Sequence, residues 1–315
     1  MRALVTGATG FVGMWVARFL LEEGTQVRVL VRPGSDRRNL AGLDVEIAEG
    51  DLRDPESLAE ALAGCEELYH VAALYSTREE DGPLMYEVNV GGTKALLKAA
   101  RRAGVRRVVH TSTIGTIGRP ADGSLPTEET EFNLWEQGSH YARSKYLAET
   151  LALSMAQEGL PVVVVNPCAP VGAGDLKPSS TGQRIVDYLN GREPSYLEGG
   201  INFISVRDVA AGHILAARRG RPGQRYILGN AAGNLMREDF YRLMERVSGV
   251  RPPRGRSRNP LRWLRGASRA GRGYQPPALT CNPARAIREL GLPQTPLEEA
   301  FAEAVEWFRQ NGYVR

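Results

Sequence analysis

Two side chains near the middle of this chain have the types and spacing for proton chemistry. Tyr141 and Lys145 lie four residues apart in a stretch of helical character that begins near Ser139. Four residues is just over one helical turn, so phenol and ammonium share a face. A phenol with a pKa of about 10 is a poor base near neutrality, but an adjacent positive charge favours its ionised form. Such a pair suits a reaction in which a carbinol oxygen loses or regains a proton while hydride leaves or joins its carbon.

Hydride needs a carrier, and the N-terminus reads as a place to hold one. T-G-A-T-G-F-V-G, Thr6 to Gly13, follows the apolar run Ala3, Leu4, Val5 and precedes a helical pattern of Val12, Trp15, Val16, Phe19 and Leu20 that stops at Gly24. Gly7 permits a sharp turn off the strand, Gly10 removes a side chain where backbone must approach a pyrophosphate, and Gly13 lets the helix pack closely on the sheet. The helix then aims free N–H groups and its positive dipole end at the phosphates. A second strand, Gln26 to Val31, ends at Arg32. A carboxylate at that tip would bind the ribose 2′-OH of NAD, whereas an arginine suits a 2′-phosphate. The expected cofactor is therefore NADP, with NAD as the alternative.

The remaining elements supply the frame. A third strand holds Val45, Ile47 and Ala48 and runs out at Gly50-Asp51-Leu52; a helix capped by Asp54 follows, with Pro55 in its first position. A fourth strand begins at Leu68 and ends at the small residues Ala72 and Ala73, where a nicotinamide ribose could lie close to backbone. His70 inside that apolar strand reads as a core residue. A helix over Leu84 to Ala103, a strand from Val108 to Thr113, the helix of Tyr141 and a buried strand from Val162 to Val165 complete the alternation. This order predicts an α/β fold with a doubly wound parallel sheet. We expect a dinucleotide-binding Rossmann domain over 1–166 and a smaller C-terminal substrate lobe over 167–315, some of it returning to the main sheet. The chain closes with an amphipathic helix from Leu297 to Arg309.

Composition narrows the class. With 42% hydrophobic and 24% charged residues and no apolar run near the ~18 residues of a membrane span, the chain reads as soluble and globular. The first strand starts at Arg2, which leaves no room for a leader ahead of it. Cys65, Cys168 and Cys281 lack C-x-x-C spacing and read as reduced thiols in a cytoplasmic protein without a structural metal. Arg246 through Arg288 contains no acidic residue, and Arg251, Arg254, Arg256, Arg258, Arg262, Arg265, Arg269 and Arg272 crowd its centre. That segment reads as solvated or, given Leu261, Trp263 and Leu264, as an anion or membrane-surface contact. No stacking array or recognition motif points to nucleic acid.

Over its whole length the chain resembles the extended short-chain dehydrogenases/reductases. The resemblance rests on T-G-A-T-G-F-V-G, G-D-L at Gly50 to Leu52, H-V-A-A at His70 to Ala73, T-S-T at Thr111 to Thr113 and Y-A-R-S-K at Tyr141 to Lys145. V-R-P-G-S-D-R-R-N-L, N-P-C-A-P-V-G-A-G-D and R-Y-I-L-G-N are similar to hopanoid-associated sugar epimerases and dihydroflavonol 4-reductase-like proteins. The resemblance implies a catalytic set of Thr113, Tyr141 and Lys145, with Thr113 on the substrate oxygen and Lys145 also on the nicotinamide ribose. It implies cofactor contacts from Gly7, Thr9, Gly10, Phe11, Val12 and Gly13, from Arg32, Asp51 and Leu52, and from Ala72, Ala73 and Thr111. Tyr141, Lys145, Pro167 and Cys168 complete that set, and no metal is implied. A homodimer through the helices carrying Leu96 and Tyr141 is implied as well.

Two departures bear on the reaction. Ile114 and Gly115 follow Thr113 where dehydratases of this type carry an acidic pair, and Ala169 stands where nucleotide-sugar epimerases carry an asparagine. The expected function is an NAD(P)(H)-dependent oxidoreductase that reduces a ketone or oxidises a secondary alcohol of a small molecule. The alternative is a sugar or nucleotide-sugar epimerase that retains NAD; a catalytically silent cofactor sensor is the third reading.

Overall fold

Strand tips that line up along one edge of a parallel sheet are what bring distant loops together in this protein. The computed structural model describes residues 1–197, 199–253 and 278–314. The arginine-rich stretch from Arg254 to Arg272, read above as solvated or anion-contacting, lies outside them.

The chain begins β1 (Arg2–Thr6), α1 (Phe11–Glu22), β2 (Gln26–Val31), β3 (Val45–Glu49), α2 (Pro55–Leu62) and β4 (Glu67–His70). It continues through α3 (Gly82–Tyr86), a π turn (Glu87–Gly92), α4 (Thr93–Arg102), β5 (Arg107–Thr111), α5 (His140–Gln157) and β6 (Val162–Pro167). The remainder is β7 (Ala169–Val171), α6 (Ser180–Leu189), β8 (Ile201–Ser205), α7 (Val206–Arg219), β9 (Arg225–Leu228), β10 (Asn234–Leu235), α8 (Arg237–Ser248) and a last helix, α9 (Leu297–Gln310).

Seven strands form one sheet in the order β3-β2-β1-β4-β5-β6-β9, every pair parallel. Thr6 stands opposite Leu30 on one side and His70 on the other, so the exits of β1, β2 and β4 open on the same edge. A parallel sheet needs apolar cover on both faces. Trp15, Val16 and Leu20 of α1 join Val209 and Ile214 of α7 on one face. Leu58 and Leu62 of α2, Leu96 and Leu97 of α4, and Ala152 and Met155 of α5 cover the other. Each fully enclosed leucine contributes about 2 kcal/mol of transfer free energy.

Local signals placed the helix ends. Asp54 accepts from the Glu56 amide at 3.1 Å with Pro55 behind it, and Gly24 closes α1 with φ of 75°. The helix expected over Leu84 to Ala103 starts two residues earlier and carries a π turn. Asn89 within that turn binds the loop after β4: its Oδ1 accepts from Leu74 N at 2.7 Å and its Nδ2 donates to Leu74 O at 2.9 Å.

The half from 167 onward builds a smaller sheet, β10-β8-β7, over an aromatic core of Phe203, Phe240, Phe301, Phe308 and Tyr188. Part of this half returns to the larger layer, since β9 pairs with β6 and α7 packs beside α1. The cysteines are free and buried, and two of the three meet in space. Sequence separation hid that Cys168 and Cys281 bring their sulfurs to 3.3 Å. No described helix is long and apolar enough to cross a membrane.

Candidate active site

The glycines at the β1 exit are fixed by contacts that leave no room for a methyl group. Gly7 adopts φ of 75°, and a Cβ there would sit 2.7 Å from the Ala72 amide nitrogen. A Cβ on Gly13 would come within 2.2 Å of the Gly7 carbonyl oxygen. The close approach of Gly13 is to the turn that leaves β1. Gly10 differs, because a Cβ there would meet only Gly7 O, at 3.2 Å. Its outer side is open, and no side chain caps α1. Thr9 is pinned through its carbonyl, which accepts from Asn39 Nδ2 at 3.2 Å while the same nitrogen reaches Gly174 O at 3.1 Å. An open, uncapped helix N-terminus beside Gly10, flanked by Phe11 and Val12, fits a dinucleotide pyrophosphate.

Arg32 is exposed immediately past β2. Asp51 lies within its electrostatic reach; Arg53 holds that carboxyl below its usual range, chiefly by hydrogen bonding, and Arg32 adds a smaller pull. Asp36 is engaged by Arg38, whose guanidinium lowers it to about 2. Neither carboxylate occupies the β2 tip.

Near the exits of β5 and β6 lie the residues whose types suit proton transfer. Ser139 caps α5 by accepting from Ala142 N at 3.2 Å, which places Tyr141 and Lys145 in its first two turns. Lys145 is 2% exposed and donates from Nζ to the Thr111 carbonyl at 2.7 Å. Burial pulls it down to about 8, with Glu149 opposing. Burial pushes Tyr141 up to about 12, and Tyr75 adds to the shift. Thr113 follows β5; its Oγ1 accepts from Gly115 N at 3.2 Å, which leaves the hydroxyl proton free to donate.

Behind these residues a buried polar cluster locks the scaffold. Glu149 Oε2 accepts from Thr116 Oγ1 at 2.7 Å and Asn166 Nδ2 at 2.8 Å, while Oε1 pairs with Arg225 at 2.9 Å. His70 is a satisfied core residue, held between Thr6 and Thr93 at 2.9 Å each.

Three expected cofactor contacts turn their side chains away from this edge. Leu52 is buried beneath Gly92, Thr111 directs Oγ1 to His213 Nε2 at 2.9 Å, and Cys168 faces Cys281. Pro167 is enclosed at the end of β6. Each side chain is committed to packing, so only backbone is left to face a ligand there. Ala72 and Ala73 do lie at the β4 exit beside Gly7.

Sequence reasoning missed Asn39, Asn89 and Tyr75. Tyr75 stands edge-on to Tyr141, with ring centroids 4.9 Å apart, and its hydroxyl lies 2.7 Å from Ser180 Oγ. The available signal was its position just beyond the small residues of the β4 tip; for Asn39 nothing local marks it.

A doubly wound parallel sheet with a glycine cradle at its first strand exit defines a Rossmann-type dinucleotide-binding fold. The family model described as the NAD dependent epimerase/dehydratase family matches residues 3–229, and the chain belongs to that family. It is 39% identical to a putative dihydroflavonol 4-reductase of Synechocystis sp. over 332 aligned residues, covering 99% of this chain and 95% of the relative. It is 38% identical to sterol demethylase protein B of Methylococcus capsulatus, covering both in full at 100%. The solved structure of DesIV, a dTDP-glucose 4,6-dehydratase from Streptomyces venezuelae with NAD bound, is 28% identical, with a TM-score of 0.82 over 100% of this chain and 99% of that one.

Proposed function

We propose that the protein is an NADP(H)-linked reductase or dehydrogenase acting on a ketone or secondary alcohol, with Thr113, Tyr141 and Lys145 as its catalytic residues. The observation that carries this reading is the buried Lys145, anchored on the Thr111 carbonyl one helical turn from Tyr141 and at the strand exit that bears Thr113. The nicotinamide, when bound, supplies or accepts the hydride. Thr113 donates to the substrate oxygen and orients it. Tyr141 passes its proton to that oxygen in reduction, a direction favoured by a phenol that burial keeps protonated. Lys145 holds the ribose hydroxyls and steadies the phenolate left behind.

Support for NADP comes from Arg32 at the β2 tip and from the absence of a carboxylate there among the described residues. Fluorescence titration with NADPH and NADH tests the cofactor: NADPH should bind tighter, and Arg32→Ala should weaken NADPH without affecting NADH. Tighter NADH binding by the parent protein overturns the assignment. The reaction is tested by identifying the nicotinamide released on denaturing the purified protein and by assaying net oxidation of NADPH with a ketone panel. Stoichiometric NAD with no net redox turnover would instead favour the epimerase reading.

A further inference from the structure

Arg184 lies on α6 in the smaller sheet's half, and only 9% of it is exposed. Its Nε donates to the Ser195 carbonyl and its Nη1 to the Ser180 carbonyl, each at 2.8 Å. Both acceptors are neutral. Among the described residues no carboxylate lies within salt-bridge distance of this guanidinium, and Nη2 has no acceptor. Within the same segment exposed Arg192 pairs with Asp187 at 2.9 Å, whereas among the described residues buried Arg184 pairs with nothing charged. Burial penalises the charge of this guanidinium, and a ligand that brings the opposite charge to its Nη2 edge offsets that penalty.

The place of Arg184 gives that charge a role. Ser180 accepts from Arg184 through its carbonyl and meets the Tyr75 hydroxyl through Oγ, and Tyr75 stands against Tyr141. The guanidinium is thus linked to the proposed proton donor through Ser180 and Tyr75. Burial depresses its pKa, while the Tyr196 and Tyr75 hydroxyls lie close enough to oppose the shift. Two backbone carbonyls fix the plane of the fork and leave its Nη2 edge for a planar or tetrahedral oxyanion.

We propose that Arg184 is the specificity-determining residue of the substrate site and that the substrate carries a carboxylate or phosphate, which pairs with the Nη2 edge while its carbonyl lies at Tyr141. The second half of this statement rests on the reductase reading; the first does not. Binding can be read without turnover, because protein loaded with NADP⁺ cannot reduce a ketone.

Calorimetric titration of the NADP⁺-loaded protein with 4-oxopentanoate, 6-oxoheptanoate and 8-oxononanoate, with their methyl esters and with the matching oxoalkyl phosphates, tests the proposal. At least one anionic member should bind about tenfold or more tightly than its neutral counterpart, a difference of ~1.4 kcal/mol. The acid and phosphate arms identify which oxyanion the site takes. Arg184→Gln should abolish the preference, Arg184→Lys should retain part of it, and Arg192→Gln should retain all of it. Equal or absent binding of acids, phosphates and esters by the parent protein overturns the proposal, as does a preference that survives Arg184→Gln. Should Arg184→Gln fail to fold, the parent series and Arg184→Lys decide. An Arg184-dependent preference in a protein that reduces no ketone would remove the reductase reading and leave the anion site standing. Ketone turnover without any anion preference would do the reverse.

Discussion

Lys145 reaches back across the sheet edge to the Thr111 carbonyl, 2.7 Å away, so the ammonium is fixed by the strand that leads into Thr113 rather than by its own helix. Lys145→Ala removes that tie and the charge together. We expect weaker NADPH binding and a fall in turnover, read by fluorescence titration and steady-state assay on one preparation. Lost turnover with unchanged cofactor affinity would contradict a shared role.

Tyr141→Phe separates chemistry from binding. The ring and its contact with Tyr75 remain, and only the hydroxyl is lost. Turnover should fall by roughly two to four orders of magnitude, the range for a positioned acid/base group, with cofactor affinity unchanged. Near-normal activity in this variant would mean that another group delivers the proton.

The second and third glycines of the cradle should respond differently to a methyl group. In Gly13→Ala the new Cβ falls 2.2 Å from Gly7 O, so backbone must move. A stability loss of about 1–3 kcal/mol is expected, measured by urea denaturation without cofactor. In Gly10→Ala the nearest atom is 3.2 Å away, so apo stability should fall less than in Gly13→Ala. Its cofactor affinity should nonetheless drop by about tenfold or more, since the methyl enters the space assigned to the pyrophosphate. Unchanged affinity in Gly10→Ala would refute that placement.

Glu149 offers a test of the scaffold. It is buried, ion-paired with Arg225 and bonded to Thr116 and Asn166. Glu149→Ala leaves Arg225 without its partner and should cost about 3–5 kcal/mol in a denaturation experiment. Loss of its charge also removes the one influence that holds the Lys145 pKa up. Glu149→Gln should therefore shift the pH dependence of cofactor binding to lower pH.

Acid should destabilise the fold. Burial lowers His70 to about 3, with Lys145 adding to the shift, and lowers His213 to about 4. Below about 6.5 the unfolded chain takes up protons that these folded rings refuse, so stability rises with pH between about 4 and 6.5. By pH 5 each histidine removes about 2 kcal/mol relative to pH 7. Asp175 acts in the opposite sense: burial raises it to about 6, so it favours the folded state as pH falls from about 6 toward 3.8. Urea midpoints should drop from pH 7 to pH 5, and drop further in Asp175→Asn. A flat profile would show that these rings are protonated in the folded protein.

The strand-helix alternation and the glycine cradle were legible in the sequence because local rules govern them. Apolar runs, Asp54-Pro55, and glycines at Gly7 and Gly24 each act within a few residues. That Tyr141 and Lys145 fall within the first two turns of one helix was legible for the same reason. What escaped was long-range. Asn39 reaches Gly174 across 135 positions, Cys168 meets Cys281 across 113, and Tyr75 meets Ser180 across 105. Side-chain direction escaped too, since a motif places Leu52, Thr111 and Cys168 near a ligand without saying which way each one faces. The small sheet was missed because β7 has three residues and β10 two, too short to show alternation.

The pairing of β6 with β9 reaches past the site. β6 is Val162 to Pro167 with every residue buried, and its outer edge is closed only by a strand supplied some sixty residues later in the chain. A fragment ending at residue 166 would present that valine run as a bare edge, the geometry that templates strand addition between molecules. During synthesis the same edge stays uncovered from the completion of β6 until residue 228 has emerged, so the chain is exposed to aggregation over that stretch of its elongation. Expression of 1–166 alone should yield insoluble material, while a fragment extended through residue 228 recovers at least part of its solubility.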